Sequence, residues 1–335
     1  MASQGEVREM PFLVGVDGGQ TSTKALLSRL DGEILARGKG GPSVGYHTQQ
    51  DIVKNRDAIH GAILSAFESA AVRLENVTAV GLGLTGVGAH SASAGIVEEI
   101  VREILEPGHV VVTPDHTTNL AGASGGKPGV VVIAGGGSIA YGITNDGEEA
   151  VAGGFAYRVR DEGSAYDIGH QAIIAAARAS DGRDPPTCLE AILKDEFEVE
   201  TVRQIKKVLY GDAFSRELVA SLAPRVAQAA QAGDRKAIEI MRDAGHELAR
   251  CALAVMRRLY PPDRGVDVYL TGGVFNAGES VERPFRDLMR LAWPRASVRL
   301  PRFPPVVGSL ILARRACNLP VDASWLATVD ESLTV

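Results

Sequence analysis

The chain has 335 residues, 45% of them hydrophobic, and a net charge of −6 with no long basic run, which fits roughly two globular domains and argues against nucleic-acid binding. Its three cysteines, Cys188, Cys251 and Cys317, form no Cys-x-x-Cys pair, which speaks for a reducing compartment and against a zinc or iron–sulfur site built within one chain. The opening MASQGEVREMPF holds no apolar signal-peptide segment, and no run approaches the ~18 apolar residues of a membrane span, so a soluble cytoplasmic α/β protein is expected.

In chain order, FLVGVDGGQTSTKALLSRLDGEIL (residues 12–35) begins as an apolar strand that runs into Gly18 and Gly19 and a hydroxyl-rich turn. It leaves as a second apolar strand toward an Asp-Gly step, a strong hairpin signal. Residues 51–74 read as a helix with Ile52, Ile59, Ile63 and Phe67 on its apolar side. VTAVGLGLTGVG reads as a buried strand ending in a glycine-rich turn, followed by a helix over 92–105. HVVVTPDHTTNLAGA gives a strand from Val110 to Thr113 that breaks at Pro114 and leaves Asp115 in a loop.

The opening pattern then returns. GVVVIAGGGSIAYGITNDGEEAVAGG (residues 129–154) again shows strand, glycine turn with a hydroxyl residue, strand, and Asp-Gly step. Each copy therefore reads as three antiparallel strands, and the repetition suggests two duplicated domains. Helices are expected over 164–179, 187–195, 200–209, 215–231 and 234–259. Cys251 lies beside the apolar stripe of the last of these and reads as core, as do Tyr166 and Ile173 in the first. His116 and His170 lack metal-ligand spacing and read as local hydrogen-bonding groups. VDVYLTGGVFN is a strand entering a third glycine turn, and PPVVGSLILARRA begins a final helix.

These elements describe two α/β lobes. Asp17, Thr85, Asp115, Gly135 to Ser138 and Gly272 all fall at the carboxyl ends of strands, where open α/β sheets gather ligands. Their convergence predicts one shared cleft. A nucleoside triphosphate needs donors around its phosphates, a magnesium ion and a group that aligns the nucleophile. Backbone N–H groups of Gly18, Gly19 and Gln20 and of Gly135, Gly136 and Gly137, with Thr21 and Ser138, would hold the phosphates from opposite sides, with Gly272 and Gly273 as a third turn. Asp17 would hold magnesium, through water because that ion keeps much of its hydration shell. No Gly-x-x-x-x-Gly-Lys-Ser/Thr or Gly-x-Gly-x-x-Gly pattern opens these turns, which excludes a P-loop and a dinucleotide fold.

The segments VDGGQTSTKALL, VVVIAGGGSIAYG, AGGFAYRVRDEGSAYDIGHQAI, VYLTGGVFNAG and PPVVGSLILA together resemble the N-acetylglucosamine kinase branch of the sugar kinase/Hsp70/actin superfamily. That branch is grouped with the ATPase activators of benzoyl-CoA reductase and 2-hydroxyacyl-CoA dehydratases. The resemblance spans Phe12 to about Ala316. It implies two ribonuclease-H-like lobes with an ATP and substrate cleft between them: residues 1–118, with a C-terminal helix 306–335 packing back, and residues 119–305. It implies a homodimer that uses ATP and Mg2+ to phosphorylate a hydroxyl of an amino sugar: N-acetylglucosamine, glucosamine or N-acetylmuramic acid. By that resemblance Thr21 contacts phosphate, Asp17 is the metal-associated aspartate and Asp115 the general base. Gly153, Gly154, Asp161 and Thr85 then belong to the sugar pocket. The chain departs from the pattern twice. It has Gly136 where the branch carries a threonine, and Ser43, Val44 and Gly45 where the sugar loop carries an asparagine, within the segment Ser43 to His47.

Other roles fit the same residues. Asp115 could cap a helix beginning near Thr117, and Ser164 with Asp167 resembles a shortened capping pattern. An activator ATPase, or a non-catalytic nucleotide or sugar sensor, is the alternative function. The partner expected of the kinase is a small-molecule sugar, with no nucleic acid and no membrane.

Overall fold

The computed structural model describes residues 11–46, 48–88, 91–212 and 214–333. The chain forms two compact units. The described residues up to Lys127 and from Pro301 onward make the first, and those of Pro128–Leu300 make the second.

The first unit opens with β1 (Phe12–Gly18), β2 (Thr23–Arg29) and β3 (Ile34–Gly40), followed by α1 (Gln49–Ala70), β4 (Val77–Leu84), α2 (Ala92–Arg102), β5 (His109–Pro114) and α3 (Asp115–Ser124). The sheet order is β3-β2-β1-β4-β5. The first three strands are antiparallel, while β4 and β5 run parallel to β1. Alternation along β1 sends Val14 and Val16 into one core with Ile59, Ile63 and Phe67 of α1, and Leu13 into another on the opposite face. Thr48 and Asp51 form a reciprocal capping box that fixes where α1 starts.

The second unit repeats this plan. It contains β6 (Gly129–Ala134), β7 (Ser138–Ile143), β8 (Glu149–Gly153), α4 (Ala165–Ser180), α5 (Leu189–Glu196), α6 (Ile205–Leu209), α7 (Arg216–Ala220), α8 (Leu222–Gln231), α9 (Arg235–Leu259), β9 (Val266–Thr271), α10 (Glu279–Ala292) and β10 (Ala296–Arg299). Its order, β10-β9-β6-β7-β8, mirrors the first sheet: β6, β7 and β8 antiparallel, β9 and β10 parallel to β6. Ile173 is buried in the core of this unit, with Tyr166 and Cys251 partly buried against it. The chain then returns to the first unit as α11 (Pro305–Ala316) and α12 (Ala323–Leu333).

Several boundaries differ from the sequence expectations for physical reasons. The expected helix 215–231 is two helices, because Pro224 has no N–H for the carbonyl of Ala220, where α7 ends. The expected 306–335 helix is also two. It turns at Asn318, which adopts a left-handed φ of 56°, just ahead of Pro320. Asp115 opens α3 directly rather than lying in a loop. A domain division at 118/119 would cut α3, yet the whole helix stays in the first unit because α11 packs against it. A Cβ at Gly308 would come 1.9 Å from the Thr118 carbonyl oxygen, so the two backbones nearly touch.

Candidate functional site

In the first unit the parallel register aligns Gly18 with Leu84 and Leu84 with Pro114, so the chain leaves β1, β4 and β5 at one edge of the sheet. The first glycine turn is tied to its neighbours through backbone bonds. Thr85 N–H donates to Gly18 O (3.0 Å), Ser43 N–H to Gly19 O (2.9 Å) and Gly19 N–H to Ser22 O (3.2 Å). The hydroxyl run divides by role. Thr23 is buried and donates to Gly41 O, whereas Gln20 and Thr21 are exposed at the tip.

Thr85 and Asp115 meet at this edge: the Thr85 hydroxyl donates to Asp115 Oδ2 at 2.7 Å. Asp115 does not cap α3; no side chain caps that helix, whose preceding residue is Pro114. The Asp115 backbone carbonyl accepts from Thr118 and Asn119 while its carboxylate points to Thr85. His116 Nδ1 lies 3.9 Å from Asp115 Oδ1. Asp17 stands in the same field. Burial pushes its carboxyl up to about 6, Lys24 works against that rise and the charge of Asp115 adds to it. The loop expected to face the sugar begins beside this turn, where the buried Ser43 hydroxyl lies 3.2 Å from the Tyr46 hydroxyl; His47 is outside the described residues.

In the second unit, Gly135 N–H donates to Gly137 O (2.9 Å) and Ala165 N–H to Gly135 O (2.8 Å), which joins the second glycine turn to the start of α4. Ser164 caps α4 by accepting from Asp167 N–H, as its spacing suggested. Ser138 was expected to donate to phosphate, but its hydroxyl donates to Glu162 O at 2.7 Å. Gly154 N–H donates to Ser138 O, so Gly153 and Gly154 adjoin the same turn. Asp161 is 6% exposed and its Oδ1 has no hydrogen-bond partner. Burial raises its pKa, opposed by Arg216 and by the Ala156 N–H. The bare α-carbon of Gly137 explains how these groups fit: a Cβ there would lie 2.7 Å from Asp161 Oδ2 and 2.9 Å from Arg216 Nη2.

A cavity of about 560 Å³ opens from the same turn, within the usual size of a small-molecule site. Gly135 and Gly273 lie on its lining, together with Ala223, Ala227, Met241, Gln228 and Asn276. Gly272 sits against the end of β6, where a Cβ would meet Ala134 O at 2.3 Å. The second and third predicted turns thus border one largely apolar cavity with a few amide side chains. Sequence reasoning missed Arg216 and the α8 wall. Ala223 and Ala227 are spaced i, i+4 like any core stripe, and an isolated arginine carries no motif. Among the described residues, no group of three or more His, Cys, Asp or Glu side chains could hold a metal ion.

An N-acetylmuramic acid/N-acetylglucosamine kinase of Clostridium acetobutylicum is 29% identical over 310 residues, 92% of this chain and 100% of the relative. An N-acetyl-D-glucosamine kinase of Dictyostelium discoideum is 27% identical, over 90% of this chain and 97% of its own. Among solved structures, a candidate N-acetylglucosamine kinase of Chromobacterium violaceum aligns with a TM-score of 0.73 at 30% identity, covering 91% of this chain and 99% of that one. A ROK family glucokinase of Streptomyces griseus, at 22% identity and a TM-score of 0.56 over 91% of this chain and 99% of that one, shares the fold. Residues 14–313 match the BadF/BadG/BcrA/BcrD ATPase family, and the chain belongs to it.

Proposed function

We propose that the protein is an ATP-dependent kinase that phosphorylates a hydroxyl of an amino sugar, N-acetylglucosamine or a close relative such as glucosamine or N-acetylmuramic acid. The observation that carries this reading is the Thr85–Asp115 hydrogen bond at the carboxyl edge of β4 and β5. It holds a carboxylate that caps nothing where a general base for an acceptor hydroxyl would be useful. Asp115 takes the proton as the sugar oxygen attacks the γ-phosphoryl group. Asp161 supports the same reading from the second unit, since its buried, unpartnered Oδ1 suits a hydroxyl donor, and Gly153 and Gly154 adjoin Ser138 of the glycine turn it faces.

ATP use follows from the family, and the relatives' activities support transfer to an amino sugar. In this reading the backbone of Gly18, Gly19, Gln20 and Thr21 and that of Gly135 to Ser138 serve the phosphates, while the cavity beside Gly273 takes the nucleoside. Asp17 suits Mg2+: it is a desolvated carboxylate next to a second one, a pair that a cation relieves. Magnesium commonly binds through one or two carboxylates plus substrate phosphates, so a cluster of three protein ligands is not required. When bound, the ion would offset charge on the phosphate oxygens. A homodimer is part of the proposal, checked by light scattering at twice the 35.3 kDa chain mass. So is a cytoplasmic location; no helix among the described residues is long and apolar enough to cross a membrane.

The activator reading requires cysteines that hold a cluster between subunits. Cys188 precedes α5, Cys251 lies on α9 and Cys317 follows α11, so the three sit on separate elements and none is paired. The direct test is to incubate purified protein with ATP, Mg2+ and a panel of neutral and amino sugars and read phosphorylated product by mass spectrometry. Product from an amino sugar supports the proposal; no product from any sugar refutes it.

A further inference from the structure

Arg216 is the first residue of α7, and two backbone relationships carry it to the second glycine turn. The first is the Ala165 N–H bond to Gly135 O, which fixes the start of α4 on that turn. The second is the approach of α7 to α4. A Cβ at Gly169 would lie 2.0 Å from Val219 O, so only a bare α-carbon lets α7 lie this close. The result is a guanidinium packed against Gly137, with Nη2 2.9 Å from where a Cβ would stand.

That cation is under-used within the fold. Its Nε is buried with no hydrogen-bond partner, and its centre lies 6.0 Å from the Tyr157 ring, a long contact. Asp161 shares that side of Gly137, with Oδ2 2.7 Å from the same point; burial raises its pKa, the guanidinium lowers it, and its Oδ1 stays unpartnered. An anion approaching this turn would meet that buried carboxylate, and the guanidinium offsets the repulsion. The turn has few other donors. Its single hydroxyl, on Ser138, donates to Glu162 O, and Gly135 N–H is used by Gly137 O. A planar fork of N–H donors suits phosphate oxygens better than the backbone that remains.

We propose that Arg216 binds the phosphates of the nucleotide at the Gly135–Ser138 turn and supplies the charged donor that the turn itself lacks. The inference rests on the nucleotide reading above and adds a residue to it. Nucleotide binding is measured without sugar, by calorimetry with a non-hydrolysable ATP analogue and Mg2+, so its outcome is separate from that of phosphotransfer. Arg216→Gln is expected to weaken the analogue by tenfold or more, and Arg216→Lys, which keeps charge but not the fork, by an intermediate factor. Because Arg216 is assigned to phosphate and its neighbour Asp161 to the sugar, KM for neutral N-acetylglucosamine and for carboxylate-bearing N-acetylmuramic acid should stay within about threefold of wild type. Analogue affinity unchanged in Arg216→Gln overturns the proposal, and so does a rise in KM confined to the acidic sugar, which would assign Arg216 to the acceptor. A thermal midpoint equal to wild type in Arg216→Lys shows that its weaker binding is not a loss of folding. Lost affinity in a protein that phosphorylates no sugar would leave this proposal standing and remove the kinase reading. A wild-type protein that binds no nucleotide removes both.

Discussion

Thr85 Oγ1 donates to Asp115 Oδ2 at 2.7 Å, joining the residue that follows β4 to the residue that follows β5. The bond orients a carboxylate whose backbone already serves the first turn of α3. Asp115→Asn keeps the shape and removes the base. Its kcat for sugar phosphorylation is expected to fall by about 10²-fold or more, with nucleotide affinity nearly intact. Thr85→Val removes a hydrogen bond to a charged group and should lower kcat by roughly tenfold. Near-normal turnover by Asp115→Asn would contradict the assignment.

The pH dependence of stability follows from Asp17. Its carboxyl is pushed from 3.8 to about 6 in the folded chain, chiefly by burial. The folded state therefore holds this proton more tightly than the unfolded state. The contribution is fully present below about pH 4 and is lost as pH rises through 6. Asp17→Asn removes that loss. Without ligands, the variant should be more stable than wild type at pH 8, by up to about 3 kcal/mol, with the difference vanishing near pH 4. Urea unfolding across pH 4–8 measures it; a variant less stable than wild type at pH 8 contradicts the account. With Mg2+ present the same variant should bind nucleotide more weakly, separating it from Asp115→Asn.

Ala227 lies on α8 at the wall of the 560 Å³ cavity. Ala227→Phe places a ring in that space, and the expected result is a KM for ATP raised tenfold or more at little cost in stability, with KM for the sugar unchanged. Steady-state kinetics with each substrate varied in turn checks this. Equal effects on both substrates would detach the cavity from the nucleoside.

Gly308 tests the scaffold beneath Asp115. A Cβ there would lie 1.9 Å from Thr118 O and 2.7 Å from Gly122 N, both backbone atoms that cannot rotate away. Gly308→Ala should cost about 3 kcal/mol and lower the urea midpoint. It should also reduce kcat, because α3 carries Asp115. A midpoint equal to wild type would show that α3 and α11 can separate at no cost.

The duplicated sheets were legible because each begins with two local hairpins whose Asp-Gly steps and alternating residues sit within 30 positions of one another. Asp17, Thr85 and Asp115 were legible as strand ends, and the structure adds the bond between the last two. α10 was not legible. Its buried stripe of Val281, Phe285 and Met289 is interrupted by Pro284, which reads as a breaker but is accommodated in the second turn. Arg216 was hidden for a different reason: its place beside Gly137 depends on how α7 packs on α4 through Gly169, a contact that no local pattern encodes. The bond from the Ser138 hydroxyl to the carbonyl of Glu162 was not legible either, because the two lie 24 positions apart.

The most direct measurement is the stoichiometry of ADP release to phosphorylated sugar, with ATP and Mg2+, in the presence and absence of N-acetylglucosamine, glucosamine or N-acetylmuramic acid. The account predicts one sugar phosphate per ADP with at least one of them, and little ADP without sugar. Rapid ADP release that is indifferent to every sugar, with no phosphorylated product, would contradict it and favour an ATPase that drives a partner.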